Sequence, residues 1–186
     1  MSDTFSLDDL NLTQEEIAEM SKRRQLKPDT DYRFITSNAR REGDVILVDM
    51  AALEDPENAD SKSNRHKGRH RLELLTAEMS LTDKEFAIGR FRGFMWACGL
   101  TITPDLPRKN LASGKYEVDG VAVTDYDAAK AANIAAVAAA LKQAGEDPSK
   151  LNGLAPVCHV QYNKQYMNFR KFKPASETPV IAKAID

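Results

Sequence analysis

The chain carries no P-loop, no Gly-x-Ser-x-Gly elbow and no Rossmann glycine fingerprint, so none of the common nucleotide or acyl-transfer chemistries is signalled. It has two cysteines, Cys98 and Cys158, both in apolar surroundings and without a metal or redox spacing. Reduced core thiols in a cytoplasmic protein are expected. No run of about 18 apolar residues occurs, so no membrane-spanning helix is expected. The longest apolar-looking run, Ala128 to Ala144, is alanine-rich and broken by Lys130, Asn133, Lys142 and Gln143. The opening MSDTFSLDDLNL lacks the basic start and continuous apolar stretch of a signal peptide. The net charge of −2 excludes a protein that coats nucleic acid with general basicity, so any polyanion site must be a local patch. Histidine is scarce. His66 and His70 have a helical ligand spacing, but Gly68 and turn-forming neighbours argue against a helix, and no supporting ligands lie nearby. The carboxylates Asp44, Asp49, Glu54 and Asp55 lack the lysine or histidine pattern of a Mg²⁺ nuclease, and a solvated loop accounts for them. No catalytic residue, metal or cofactor is nominated, and the chain reads as a non-enzyme.

What is present suits one globular domain. With 186 residues, 42% hydrophobic, there is enough chain to bury a core. Residues 1–27 read as an acidic N-terminal arm followed by a short helix, opened by capping-box spacing between Thr13 and Glu16 and ended at Pro28. Three strands are expected next, at Tyr32–Asn38, Val45–Met50 and Arg69–Leu75. Residues 54–68 form a polar loop between the last two. A helix follows, capped by Thr82 with Glu85 and ended at Gly99; its apolar face draws on Phe86, Ile88, Phe91, Phe94, Met95 and Cys98. Asp119-Gly120 marks a hairpin, and Asp125 caps the alanine-rich helix, which stops near Gly145 and Pro148. A turn at Leu151–Gly153 leads to a hairpin of Val157–Tyr162 and Tyr166–Phe172. Residues 176–186 are a tail.

Five strands with a helix between the third and fourth is the chain order of an OB-fold, a small Greek-key barrel. The expectation is therefore a mostly β, α+β domain over residues 28–175: an OB-like five-stranded barrel with a hairpin-and-helix insertion at about 101–150.

Two basic clusters fall on this scheme. The first, Lys62, Arg65, Lys67, Arg69 and Arg71, ends the loop and enters the third strand, with His66 and His70 interleaved. The second occupies the closing hairpin, with Lys164, Arg170, Lys171 and Lys173, and no acidic residue occurs from His159 to Ser176. Arginine meets phosphate with a planar fork and lysine as a mobile point charge. A barrel could bring both clusters near one groove. The hairpin also holds Tyr162, Tyr166, Phe169 and Phe172. Tyr162, Tyr166 and Tyr32 are the better base-stackers, because a phenol tolerates water at its tip. By strand parity Tyr166, Asn168, Arg170 and Phe172 share one face, and Met167, Phe169, Lys171 and Lys173 the other. Either set can be core. Our expectation puts Tyr166 with Arg170 on the stacking side and Phe169 in the core.

These stretches resemble a known family. Tyr32-Arg33-Phe34 in the first strand, the Lys67-Gly68-Arg69 start of the third, the helix FAIGRFRGFMWACGL and the closing LNG…VQYNKQYMNFRKFKPA are similar to phage-encoded single-stranded DNA-binding proteins of the OB-fold, a family formerly described only as a domain of unknown function. The likeness spans Asp31 to Ala175, apart from Thr101 to Lys150. It implies sequence-tolerant, non-catalytic binding of single-stranded DNA in phage replication and recombination, in the host cytoplasm. It leaves open RNA as a ligand, replication or recombination proteins as partners, and an oligomer. One departure is that the tail ETPVIAKAID has only Glu177 and Asp186, whereas Asp3, Asp8 and Asp9 sit at the other end with Phe5 and Leu7. The competing reading is a phage structural or adaptor protein that acts through protein–protein contacts, with the alanine-rich helix as its assembly surface.

Overall fold

The structure, a computed structural model, describes residues 13, 26–27, 29–163 and 166–174. Residues 1–12 of the expected acidic arm, Glu16 of the capping box with the short helix it opens, Lys164 and the C-terminal tail lie outside the described residues. So do the side chains of Arg65, Tyr162, Tyr166 and Arg170.

The chain is a mixed α+β domain. Strands β1 (Thr30–Glu42), β2 (Val45–Leu53) and β3 (Lys62–Glu73) form an antiparallel meander. Helix α1 (Leu81–Ala97) follows. Next come a small sheet of β4 (Arg108–Lys109), β5 (Tyr116–Val118) and β6 (Val121–Ala122), and helix α2 (Tyr126–Glu146). A 3-10 turn (Pro148–Leu151) leads to β7 (Val157–Asn163) and β8 (Tyr166–Lys173). The large sheet runs β3-β2-β1-β7-β8, and every described pair is antiparallel. Its end strands meet through side chains: a Cβ on Gly68 of β3 would lie 2.7 Å from the Phe169 ring of β8. No hydrogen-bonded ladder joins these two strands among the described residues, so the sheet bends round without closing.

The inner face of this sheet is the core. Phe34, Ile46, Val48, Met50 and Leu72 point into it with Val160 and Cys158. Helix α1 lies over the β3–β8 end and inserts Phe91 and Phe94. Phe94 stacks on His70 at 5.6 Å, and Phe172 meets both rings edge-on. Phe169 meets Phe34 at 5.0 Å, also edge-on. Thr36 ties β1 to the segment before β7: its hydroxyl donates to the Leu151 carbonyl at 2.6 Å and accepts from the Leu154 N–H at 2.8 Å. Such a buried hydroxyl can remain in the core because its hydrogen-bonding groups are satisfied there.

Several expectations need correction. β3 begins at Lys62, so the first basic cluster lies within a strand rather than at the end of a loop. Its inward positions there are Ser63, His66, Gly68 and His70, which carry no apolar alternation, yet pairing with β2 through Met50, Ala51 and Leu53 holds them extended. Only residues 54–61 form the loop, closed by the Ser61 hydroxyl donating toward the Asp55 and Asn58 carbonyls. The α1 cap is Ser80, whose Oγ accepts the Asp83 N–H, rather than Thr82 with Glu85. Phe86 is 68% exposed and takes no part in the core face. Tyr32 is buried, its phenol oxygen accepting the Lys27 N–H at 3.0 Å, which withdraws it from any stacking surface. The strict parity of the last strand also fails. Lys171 adopts φ +42° and forms a bulge between the Cys158–Phe172 and His159–Arg170 pairs, so Phe169 and Phe172 both face the core.

The Asp119-Gly120 hairpin has positive φ at both turn residues, the type I′ geometry its sequence calls for. Asp125 caps α2 by accepting the Ala128 N–H. No helix among the described residues is long and apolar enough to cross a membrane.

Candidate nucleic-acid interface

The outward face of the meander is set by register. Across it lie Ile35, Ser37 and Arg40 of β1, then Ala51, Asp49 and Leu47 of β2. Lys67, Arg69 and Arg71 of β3 stand opposite those β2 residues in the same order. Alternation along β3 therefore turns every second residue of the cluster to solvent and the intervening histidines inward. His70 is buried against Phe94 and Phe172, and burial followed by the nearby Arg90 charge pushes its pKa down to about 3. It is neutral core and holds no phosphate. His66 is likewise buried.

Not all the cations are free. Arg69 Nε donates to Asp49 Oδ1 at 2.9 Å, and Asp49 Oδ2 accepts from Asn38 Nδ2 at 2.8 Å and lies 3.6 Å from Arg40. Partial burial pushes the Asp49 carboxyl upward. The hydrogen bonds from Arg69 and Asn38, with the charges of Arg69 and Arg40, outweigh this and hold it below its ordinary value. The hydrogen bond to Asp49, joined by its charge, raises the Arg69 guanidinium in turn. Arg71 lies 3.5 Å from Glu73, which also takes two hydrogen bonds from Arg90. On the hairpin, Lys173 is 3.8 Å from Asp31, which also bonds His159. Lys62, Lys67 and Lys171 are exposed and form no ion pair among the described residues.

The two clusters sit on neighbouring strands. Gly68 rests against Phe169 and Met167, so Lys67 and Arg69 flank a seam whose other side is β8 with Arg170 and Lys171. Tyr162 pairs with Met167 and Tyr166 with Asn163, which places both tyrosine backbones near the hairpin tip. Arg65 lies within β3. The described outward face of β1–β3 carries no aromatic side chain.

Reading the sequence for clusters missed the clasp at the centre of this face. Asp49 was grouped with loop carboxylates, although the alternation Val45, Leu47, Asp49 already places it outward. No group of three potential metal ligands exists among the described residues. Burial pushes the Cys98 thiol up to about 12, and it raises the Cys158 thiol as well.

No family model, curated protein sequence or solved structure matches the chain.

Proposed function

We propose that this chain binds single-stranded DNA without base specificity and without catalysis, using the outward edge of β3 and the β7–β8 hairpin as one surface. The observation that carries the reading is the adjacency of the two basic clusters across the Gly68–Phe169 seam, with Lys62, Lys67 and Lys171 exposed and in no ion pair among the described residues. The strand order β3-β2-β1-β7-β8, with α1 between β3 and the later strands, supports reading the domain as an OB-like barrel left open between β3 and β8. OB-folds take oligonucleotides on strands 2 and 3 and on the loops 1–2 and 4–5. Here those correspond to the β2–β3 face, the Gly43–Asp44 turn and the hairpin tip.

The chemistry is electrostatic with stacking. Each lysine that meets a phosphate releases condensed counterions, which makes affinity fall with salt. Tyr162 and Tyr166 are the stacking candidates left once Tyr32, Phe169 and Phe172 are assigned to the core. The resemblance to phage single-stranded DNA-binding proteins supplies the setting: replication or recombination in an infected cell.

The test is a titration of labelled oligo-dT across a salt series for wild type and for Lys62, Lys67 and Lys171 all changed to Gln. Three lost phosphate contacts should flatten the log K against log[salt] slope by about 2, at about 0.7 per contact. An unchanged slope in a folded triple variant removes this surface from the site.

A further inference from the structure

Helix α1 carries two interior glycines, Gly89 and Gly93, one turn apart on one face. A Cβ at Gly89 would meet nothing within 4 Å, and one at Gly93 only the Phe172 Cβ at 4.0 Å. Alanine would therefore fit at both and favour the helix by about 1 kcal/mol each, so the described fold does not require either glycine. Both line a groove of about 660 Å³ between α1 and the segment leading to β4. Its rim exposes Trp96 and Leu100, at 41% and 40%, with Phe86 further along the helix. Exposed large apolar side chains gathered on one face mark a docking surface.

The groove walls carry two arginines, Arg92 and Arg108, against one carboxylate, Asp105, and are fixed in position. Arg92 donates to Asn133 Oδ1 at 2.9 Å, and that buried asparagine donates in turn to the Pro104 carbonyl. Arg108 lies over the Trp96 ring at 5.9 Å and 3.5 Å from Asp105. An occupant with acidic groups, apolar anchors and a backbone able to approach the glycine face would complement it.

We propose that this groove takes the acidic segment Asp3–Leu12 of the same chain, sequence DTFSLDDLNL. Asp3, Asp8 and Asp9 suit a lining whose two arginines outnumber its one carboxylate, and Phe5, Leu7 and Leu10 match the apolar rim. Leu26 is fixed in the core, and the fourteen residues from it back to Leu12 reach as far as roughly 46 Å when extended, at about 3.3 Å each, which is ample for one domain. No residue of β1, β2, β3 or β8 lines the groove, so the contact stands apart from the nucleic-acid surface.

Trp96 is the only tryptophan, which makes it a direct reporter. The experiment compares Trp96 emission and acrylamide quenching in the full wild-type chain, in Asp3→Asn/Asp8→Asn/Asp9→Asn and in Phe5→Ser/Leu7→Ser, none of which alters a groove residue. Both variants should show red-shifted emission and lose protection from the quencher. Excess synthetic peptide of residues 1–12 should restore protection to either. Spectra and quenching identical to wild type in both variants would overturn the proposal. Protection in wild type that fades on dilution would overturn it too, because the segment would then come from another copy. The readout involves no nucleic acid, so its failure is separate from failure of the binding function.

Discussion

Replacing Asp49 with Asn should tighten single-strand binding, which is unusual for a substitution on a folded surface. Asp49 is the one carboxylate among the nine outward positions at the centre of the β1–β3 face. It holds Arg69 at 2.9 Å and lies 3.6 Å from Arg40, so both guanidinium charges are partly spent inside the protein. Asn keeps the shape, and its carbonyl still accepts a hydrogen bond from Arg69, but it removes the negative charge. Arg40 stays paired with Glu42 at 2.9 Å, so Arg69 is the guanidinium released to phosphate, and the salt slope should steepen by about 0.7. The stability cost is that of a partly solvated ion pair, about 0–1 kcal/mol, because Asp49 is 32% exposed. Urea melts should therefore nearly coincide while oligo-dT anisotropy titrations diverge at low salt. A folded variant with an unchanged or shallower slope would mean that Arg69 does not face the strand, and the surface would be misplaced.

Three further outcomes follow from the packing. His70 stays neutral in the fold down to about 3, whereas an unfolded histidine takes up a proton near 6.5. Stability should fall as pH drops from about 6.5 toward 3, by up to about 5 kcal/mol, and urea melts of His70→Leu should lose that component; an identical pH profile would contradict its burial. Gly68→Ala should destabilise by about 1–3 kcal/mol, since the new methyl would sit 2.7 Å from Phe169, and a neutral melt would show that β3 and β8 are not in contact. Phe169→Ala should cost about 3 kcal/mol of stability, whereas Tyr166→Ala should spare the fold and lose about 1–3 kcal/mol of oligo-dT binding. The inverse pattern in paired melts and titrations would exchange their roles.

The elements most legible in the sequence were those with strong local chemistry. Asp119-Gly120 and Asp125 specify their turn and cap through a few adjacent atoms, and the structure places both where the sequence does. β3 was half missed because its first inward residues are Ser63, His66 and Gly68, so no apolar period announces a strand that β2 holds in place. The parity of β8 was misread because one residue at positive φ, Lys171, shifts every later side chain by one face. Phe86 looked like core because hydrophobicity reports what can be buried, not what is. The candidate surface was legible as charge but not as free charge. Which cations are already paired depends on the β2–β3 register, which sets Arg69 beside Asp49 and leaves Lys67 opposite Ala51.

The most direct measurement is an equilibrium titration of the wild-type chain with labelled oligo-dT, at low and high salt, with and without Mg²⁺, beside a blunt duplex of equal length. Binding should favour the single strand, weaken steeply with salt, not require Mg²⁺ and leave the oligonucleotide intact. Absence of binding at low salt would contradict the account and favour a structural or adaptor protein, and Mg²⁺-dependent cleavage would make the chain a nuclease instead.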